Sequence, residues 1–291
     1  MNTLDLPGLI MPLIQLCHRA GDLICAHYNA PGAAKFESKG DDSPITRADL
    51  ASHAVLNDGL LKLQPGIPVL SEESPASEVA DRLTWRRLWL VDPLDGTKEF
   101  LDRTGEFTIN VALVEDHVAV LGLLYLPLKR IAYVGIPGVQ ARRYQFLDND
   151  NDNGKWQERR LATRALEPGS PLVLLTSRRH RGRRLEQCID QLRGEWGPVE
   201  RVGCGSALKF CQLVEGRGDF YPRFAPCCEW DTAAGQAVLE AAGGALVGLD
   251  GMPLRYNCRD TLLNPDFYGL AQPAHPLWQQ LTGAFGAGVE I

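Results

Sequence analysis

Leu88-Trp89-Leu90-Val91-Asp92-Pro93-Leu94-Asp95-Gly96-Thr97 sets four apolar residues directly against two aspartates, a proline and a glycine. The apolar run reads as a buried strand. Pro93 fixes its own φ and forbids continuing a regular strand, and Gly96 permits a sharp turn. Such a turn can aim Asp92 and Asp95 into one small volume, with the Leu94 carbonyl pointing the same way. Two carboxylates that close raise each other's pKa unless a cation lies between them. At the end of a buried strand they do little for stability. They make sense as hard oxygen ligands for a divalent cation, and this donor type suits Mg²⁺. Lys98-Glu99-Phe100-Leu101 can then start a helical turn whose N–H groups would meet a phosphate.

Two further acidic stretches join this one. Val69-Leu70 delivers Ser71-Glu72-Glu73-Ser74, and Trp230-Asp231-Thr232-Ala233-Ala234-Gly235 lies far along the chain. Alone, Glu72 and Glu73 read as a solvated turn. Asp231 alone reads as the N-cap of a helix over Thr232–Ala242, worth about 1 kcal/mol. Beside Asp92 and Asp95, all three stretches read as one ligand set. The small residues Ala233, Ala234 and Gly235 let the following helix pack closely.

With 291 residues, 45% apolar and 23% charged, the chain has the composition of a globular enzyme of one large or two ordinary domains. A net charge of −6 excludes a strongly basic nucleic-acid binder. Arg178, Arg179, Arg181, Arg183 and Arg184 read as a solvated helix face. The first eighteen residues hold no Lys or Arg, and Asp5, Pro7 and Pro12 interrupt the apolar stretch, unlike an export signal. No apolar run is read as membrane-spanning. The eight cysteines show no metal-type spacing and read as reduced core residues. Cys227-Cys228, just before Trp230-Asp231, could disturb the site if oxidised.

Leu4–Tyr28 has helical spacing, with Pro7 and Pro12 delaying its start. Lys39–Pro44 reads as a loop, and Thr46 to about Lys62 as a second helix with Asp49 in its first turn. Strands are predicted at Ile67–Leu70, Leu88–Val91, Phe107–Val114, Val118–Tyr125, Arg130–Gly135 and Arg142–Phe146. Leu147–Lys155 is a surface hairpin. Its Asp148, Asp150 and Asp152 mimic a calcium loop, but Asn153 and Arg159 stand where glycine and glutamate are required. Strands at Leu172–Leu175, Val199–Val202 and Asp219–Pro222 then alternate with helices at Arg183–Leu192, Ser206–Val214 and Thr232–Ala242. Ala245–Leu249, Asp250-Gly251 and Leu254 suggest a closing hairpin. The pattern predicts an α/β fold, α+β layered, with alternating layers of helices and sheets. An N-terminal half (1–167) would hold the antiparallel sheet and most metal ligands, and a C-terminal half (168–291) the substrate-binding elements and Asp231.

The three acidic stretches, in this order and spacing, resemble the magnesium-dependent, lithium-sensitive phosphatase superfamily of inositol monophosphatase and fructose-1,6-bisphosphatase. Further stretches look like its CysQ-type branch of bacterial 3′(2′),5′-bisphosphate nucleotidases. These are Ser43-Pro44-Ile45-Thr46-Arg47-Ala48-Asp49, Lys98-Glu99-Phe100, Gly105–Asn110, Gly205–Cys211 and Tyr221-Pro222-Arg223-Phe224. The resemblance runs from about Leu13 to Phe267. It departs at Pro226-Cys227-Cys228-Glu229, where polar residues are expected; this puts fine base or sugar selectivity in doubt and leaves the metal chemistry untouched.

The resemblance implies an inositol-monophosphatase-like sugar phosphatase fold. It also implies two or three Mg²⁺ held by Glu72, Asp92, the Leu94 carbonyl, Asp95 and Asp231. Asp49 and Thr97, with Glu72, would orient and deprotonate the attacking water. Substrate would be held by Glu72, Leu94, Asp95, Gly96, Thr97, Ser206, Lys209 and Asp231, with His180 and Arg223 as further candidates. The implied substrate is adenosine 3′,5′-bisphosphate, cleaved to AMP and phosphate, together with 3′-phosphoadenosine 5′-phosphosulfate. Lys209 would hold the second, non-reacting phosphate; otherwise it reads as a surface helix lysine. The implied location is the cytoplasm, with peripheral placement on the inner membrane left open. A sugar monophosphatase on the same scaffold is the near alternative. A silent nucleotide or metal sensor is the distant one, disfavoured because Asp49, Thr97 and every acidic motif position are present.

Overall fold

The structure, a computed structural model, describes residues 4–30, 37–38, 44–147, 154–178, 182–279 and 281. Helix α1 (Leu6–Asn29) is capped by Asp5, whose carboxylate accepts from the Gly8 N–H at 3.1 Å. The prolines do not delay it. Pro7 sits in the first turn, where no N–H is needed, and the helix continues through Pro12. An interior proline costs about 3 kcal/mol. Leu9, Leu13, Leu16, Cys17, Ala20 and Ile24 are buried along one face, and at about 1.5–3 kcal/mol for each large side chain that burial outweighs the proline. By length and composition α1 could cross a membrane, which the sequence reading did not anticipate. Half of its most apolar window is buried inside the fold.

Strands β1 (Glu37–Ser38) and β2 (Pro44–Ile45) form a short antiparallel ribbon. It leads to α2 (Arg47–Leu63), whose N-cap is Thr46. A seven-stranded sheet follows: β3 (Val69–Ser71), β4 (Arg87–Asp95), β5 (Thr108–Glu115), β6 (Val118–Leu126), β7 (Ile131–Ile136), β8 (Gln140–Leu147) and β9 (Lys155–Arg160), in that spatial order. Helix α3 (Thr97–Leu101) leaves the end of β4. β3 is parallel to β4 and the other neighbours are antiparallel. The tight β5–β6 connection uses positive φ at Asp116 (49°) and His117 (69°), the conformation a two-residue hairpin needs.

The second half supplies β10 (Leu172–Thr176), α4 (Arg183–Glu195), β11 (Val199–Gly203), α5 (Leu208–Val214), β12 (Phe220–Arg223), α6 (Ala233–Ala241), β13 (Ala245–Gly248) and β14 (Phe267–Leu270). Its five-stranded sheet has the order β11-β10-β12-β14-β13. Four strands were not foreseen: the short ribbon pair β1 and β2, and β9 and β14. β9 (Lys-Trp-Gln-Glu-Arg-Arg) carries no apolar alternation because it is an exposed edge. β14 pairs with β12 and β13 across long stretches of chain. The expected closing hairpin forms on the other edge of β13, with an antiparallel bridge between Val247 and Pro253 and the Gly248 N–H donating to the Met252 carbonyl at 2.8 Å. The calcium-like loop lies mostly outside the described residues; the strands flanking it, β8 and β9, pair antiparallel as a hairpin requires.

The layers alternate. One core packs α1 and α2 on one face of the large sheet, through Leu13, Ile14, Leu56, Trp89, Ile109 and Val111. A second packs α5 and α6 between the sheets, with Leu88, Leu90 and Val114 on one side and Leu175, Leu246 and Phe267 on the other. A third packs α4 on the outer face of the small sheet. Gly122 and Gly135 make the middle layer possible, since a Cβ there would stand 2.2 and 2.4 Å from α6 backbone. The C-terminal end of β4 and the turn preceding α6 therefore meet.

Candidate active site

β4 does not stop at Pro93 as predicted. It runs to Asp95 with a shift of register against β5 between Asp92 and Asp95. The bulge re-aims the chain, as such irregularities do. The Pro93 carbonyl accepts from Ser52 Oγ at 2.8 Å, and the Leu94 N–H donates to Asp92 Oδ1 at 3.0 Å. Gly96 then takes φ +93° and starts α3. A side chain there would be strained, and its Cβ would stand 2.9 Å from the Glu106 carbonyl oxygen.

Asp231 reaches the same place from the other half of the chain. It is not the N-cap of α6; Thr232 occupies that position, without a side-chain capping bond. Asp231 instead ends a short 3₁₀ turn, Glu229–Asp231, and its Oδ2 accepts from the Cys228 N–H at 2.7 Å. One carboxylate oxygen each from Asp92, Asp95 and Asp231 lies within 4.8 Å of the others, a grouping that could hold a metal ion. Burial is the first cause raising the Asp92 and Asp231 pKa values. The negative neighbours come next: Glu72, Asp95 and Asp231 for Asp92, and Asp95 and Glu72 for Asp231. Buried, mutually repelling carboxylates with hard oxygen donors fit a divalent cation of the Mg²⁺ type.

Glu72 follows β3, where its N–H donates to the Val91 carbonyl at 3.0 Å. It lines the cavity beside Asp92, Asp95 and Asp231, whereas Glu73 does not. Asp49 comes from the first turn of α2, as read. Its Oδ2 accepts from the Thr46 N–H (2.9 Å) and Oγ1 (2.5 Å). The Thr97 hydroxyl lies 3.2 Å from Asp49 Oδ1 and 3.3 Å from the Leu94 carbonyl, so either can accept its proton. Burial raises the Asp49 pKa against those hydrogen bonds.

The cavity, about 630 Å³, is also lined by Gly96, Thr97, Ser206, Lys209, Arg223, Cys227 and Cys228. Ser206 stands at φ +52°. Its hydroxyl donates to Asp95 Oδ2 at 2.8 Å, and the Ala207 N–H donates to the same oxygen at 2.6 Å. Because of this turn α5 begins at Leu208, two residues later than predicted. Lys209 is buried, not a surface lysine. Its ammonium donates to the carbonyls of Ser206 (2.6 Å) and Cys204 (3.2 Å), lies 5.2 Å from the Tyr221 ring centre, and burial lowers its pKa. Arg223, at the end of β12, donates to the carbonyls of Ala225 and Pro226, each at 2.9 Å. His180 lies outside the described residues.

The arginine-rich stretch is only partly a solvated helix face. Arg178 precedes α4 and pairs with Glu106, and Arg184 pairs with Asp266. The same Glu106 carboxylate accepts from the Gly205 N–H at 2.9 Å, tying that turn to the site. Glu106, Thr108 and Asn110 are site residues that the ligand motif does not reveal. The Thr108 hydroxyl lies 2.7 Å from Ser206 Oγ, and Asn110 Nδ2 donates to Asp95 at 3.3 Å. Their only sequence signal was a place in the Gly105–Asn110 stretch. All eight cysteines are free, but Cys25, Cys227 and Cys228 are half-buried and Cys258 is exposed, so they are not uniformly core residues.

Known proteins resemble this chain in sequence and in fold. The 3′(2′),5′-bisphosphate nucleotidase CysQ of Salmonella typhimurium is 41% identical over 265 residues, covering 89% of this chain and 98% of that protein. The protein of the same name from Escherichia coli K12 is 42% identical over 259 residues, covering 87% and 96%. The crystal structure of CysQ from Bacteroides thetaiotaomicron superposes with a TM-score of 0.80 at 38% identity, covering 93% of this chain and 99% of that one. An inositol monophosphatase from Anabaena, 22% identical with a TM-score of 0.68 over 97% and 96% of the two chains, shares the fold. The model of the inositol monophosphatase family matches residues 7–281, and with curated relatives above 40% identity along nearly their whole length, this chain belongs to that family.

Proposed function

We propose that the protein is a Mg²⁺-dependent 3′(2′),5′-bisphosphate nucleotidase of the cytoplasm, inhibited by Li⁺. It removes the 3′-phosphate of adenosine 3′,5′-bisphosphate to give AMP, and acts likewise on 3′-phosphoadenosine 5′-phosphosulfate. The observation that carries this reading is the convergence of Asp92, Asp95 and Asp231 on one cavity with the Asp49–Thr97 pair. The names of the relatives above 40% identity support the substrate class.

In this reading Glu72, Asp92, the Leu94 carbonyl, Asp95 and Asp231 hold two or three Mg²⁺. When bound, the ions neutralise the carboxylates, lower the pKa of water and stabilise charge on the phosphoryl oxygens. The remaining work falls to the chain's own residues. Thr97 accepts a hydrogen bond from the attacking water while its own proton is directed to Asp49. Asp49, held by Thr46 from the opposite side, takes the proton as the P–O3′ bond breaks, and a solvent water protonates the departing O3′. Gly96 and Thr97 contact the phosphoryl group from the start of α3. Phosphoryl transfer asks mainly for such positioning and charge compensation. Ser206, Lys209 and Arg223 face the non-reacting phosphate. The halves 1–167 and 168–291 act as two parts that close one site, the first bringing Asp49, Glu72, Asp92 and Asp95 and the second Asp231.

The test is phosphate release with Mg²⁺ from adenosine 3′,5′-bisphosphate, inositol 1-phosphate and fructose 1,6-bisphosphate in parallel. Preference for the nucleotide, abolished by EDTA and largely lost in Lys209→Ala, supports the proposal. Preference for either sugar phosphate keeps the metal ligands and overturns the substrate assignment.

A further inference from the structure

The turn that carries Asp231 is anchored by a buried polar network on the side away from the cavity. Cys228, Trp230 and Asp231 line the cavity, while Glu229 is not among its walls. Glu229 is fully buried. Its Oε1 accepts from Arg259 Nη2 at 2.8 Å, and its Oε2 from the Asn257 N–H at 2.6 Å. Asn257 takes φ +52° and is buried as well. Its side-chain amide exchanges hydrogen bonds with Arg82: Arg82 Nη1 donates to Asn257 Oδ1 at 3.0 Å, and Asn257 Nδ2 donates to the Arg82 carbonyl at 2.6 Å. The other nitrogen of Arg82 donates to the carbonyl of Arg259 at 2.9 Å and to that of Asp260.

We infer that Glu229 is a positioning residue that sets where Asp231 stands relative to Asp92 and Asp95, an inference that rests on Asp231 being a metal ligand. Glu229 and Asp231 are the two ends of a single 3₁₀ turn, so a rotation of one displaces the other. The turn is held at its backbone by the Glu229 N–H to the Leu262 carbonyl (2.8 Å) and at its side chain by Arg259 and Asn257. Arg82 belongs to the short helix Arg82–Thr84, which leads directly into β4 and its two aspartates. The network therefore joins the two chain halves behind the place where their carboxylates meet. Burying the Glu229 carboxylate to pair it with a guanidinium is a poor way to gain stability alone. Holding mutually repelling ligands at a fixed separation is a use that apolar packing would not replace. Partners behind a first set of ligands characteristically govern metal affinity in this way.

The test is Mn²⁺ binding to the whole protein, followed by the EPR signal of free Mn²⁺, in wild type, Glu229→Gln, Arg259→Lys, Asp231→Asn and Leu192→Ala. Leu192, on the buried face of α4, belongs to a different core and serves as a control for general destabilisation. We expect binding weakened about 10–100-fold in Glu229→Gln and in the same direction in Arg259→Lys. Asp231→Asn should lose the site, and Leu192→Ala should bind as wild type despite a lowered Tm. Should Glu229→Gln fail to fold, Arg259→Lys, whose guanidinium is partly exposed, decides the matter. Binding within twofold of wild type in the folded network variants, with Asp231→Asn impaired, overturns the positioning role alone. Equal weakening in Leu192→Ala also overturns it. Absence of Mn²⁺ binding in wild type, or wild-type binding in Asp231→Asn, overturns the ligand reading and the positioning role with it.

Discussion

Replacing Gly96 by alanine isolates what the turn after Asp95 contributes. Gly96 sits at φ +93°, where a side chain costs about 1–2 kcal/mol. The new Cβ would also stand 2.9 Å from the Glu106 carbonyl oxygen, a backbone atom that cannot swing away. Forcing that segment aside adds about 1–3 kcal/mol, the usual range for overpacking. The sum is about 2–5 kcal/mol. For a chain of 291 residues, with about 2.1 cal/mol/K of unfolding entropy per residue, that lowers Tm by about 3–8 °C. Activity should fall much further, because the displaced turn lies between Asp95 and Thr97. Glu106, the residue it pushes, also holds Gly205. Gly138→Ala supplies the comparison. Gly138 has φ +75° with no atom within 4 Å of the added Cβ, so it bears the strain without the clash. Thermal melts and phosphate-release kinetics on both variants decide the matter. Equal Tm losses with unchanged kcat in Gly96→Ala would refute the reasoning.

Asp95→Asn should lower kcat by at least about 10³-fold at nearly unchanged secondary structure, since it removes a ligand charge; full activity with a normal circular dichroism spectrum would contradict the assignment. Glu72→Gln should impair turnover more than Glu73→Gln, because only Glu72 lines the cavity; the reverse ranking of kcat/KM would exchange their roles. EDTA should leave the secondary structure intact, and metal-free stability should depend on pH in a defined direction. Asp92 and Asp231 have folded pKa values raised first by burial and then by negative neighbours, Glu72 and Asp95 among them in both cases, that of Asp231 to about 8. Between the unfolded carboxylate range near 4 and about 8, the folded state binds more protons. Stability therefore falls as pH rises through that window, and Mg²⁺ at pH 8 should restore it. A metal-free Tm that rises from pH 5 to pH 8 would refute this sign.

The sequence by itself determined which carboxylates were candidate ligands, and the layered fold. Asp92, Asp95 and Thr97 sit within six residues around a proline and a glycine, so local geometry alone brings them to one turn. Asp49 in the first turn of α2 and Glu72 just past β3 were legible because a helix start and a strand end fix where a side chain emerges. Most elements were legible from apolar periodicity, and the strands that were not are the two-residue β1 and β2, too short to show a period, and β9 and β14, which lack it or owe their pairing to distant chain. Only the tertiary structure decided the rest. Asp231 could equally have been a helix cap until its turn was seen packed against β4. Lys209 looked like a surface residue because a seven-residue helix shows little of which face is covered. The bulge that carries β4 past Pro93 and the network behind Glu229 depend on partners far along the chain. Spacing in sequence reports what the backbone places locally, whereas burial and charge pairing across the two halves arise only when the sheets and helices stack.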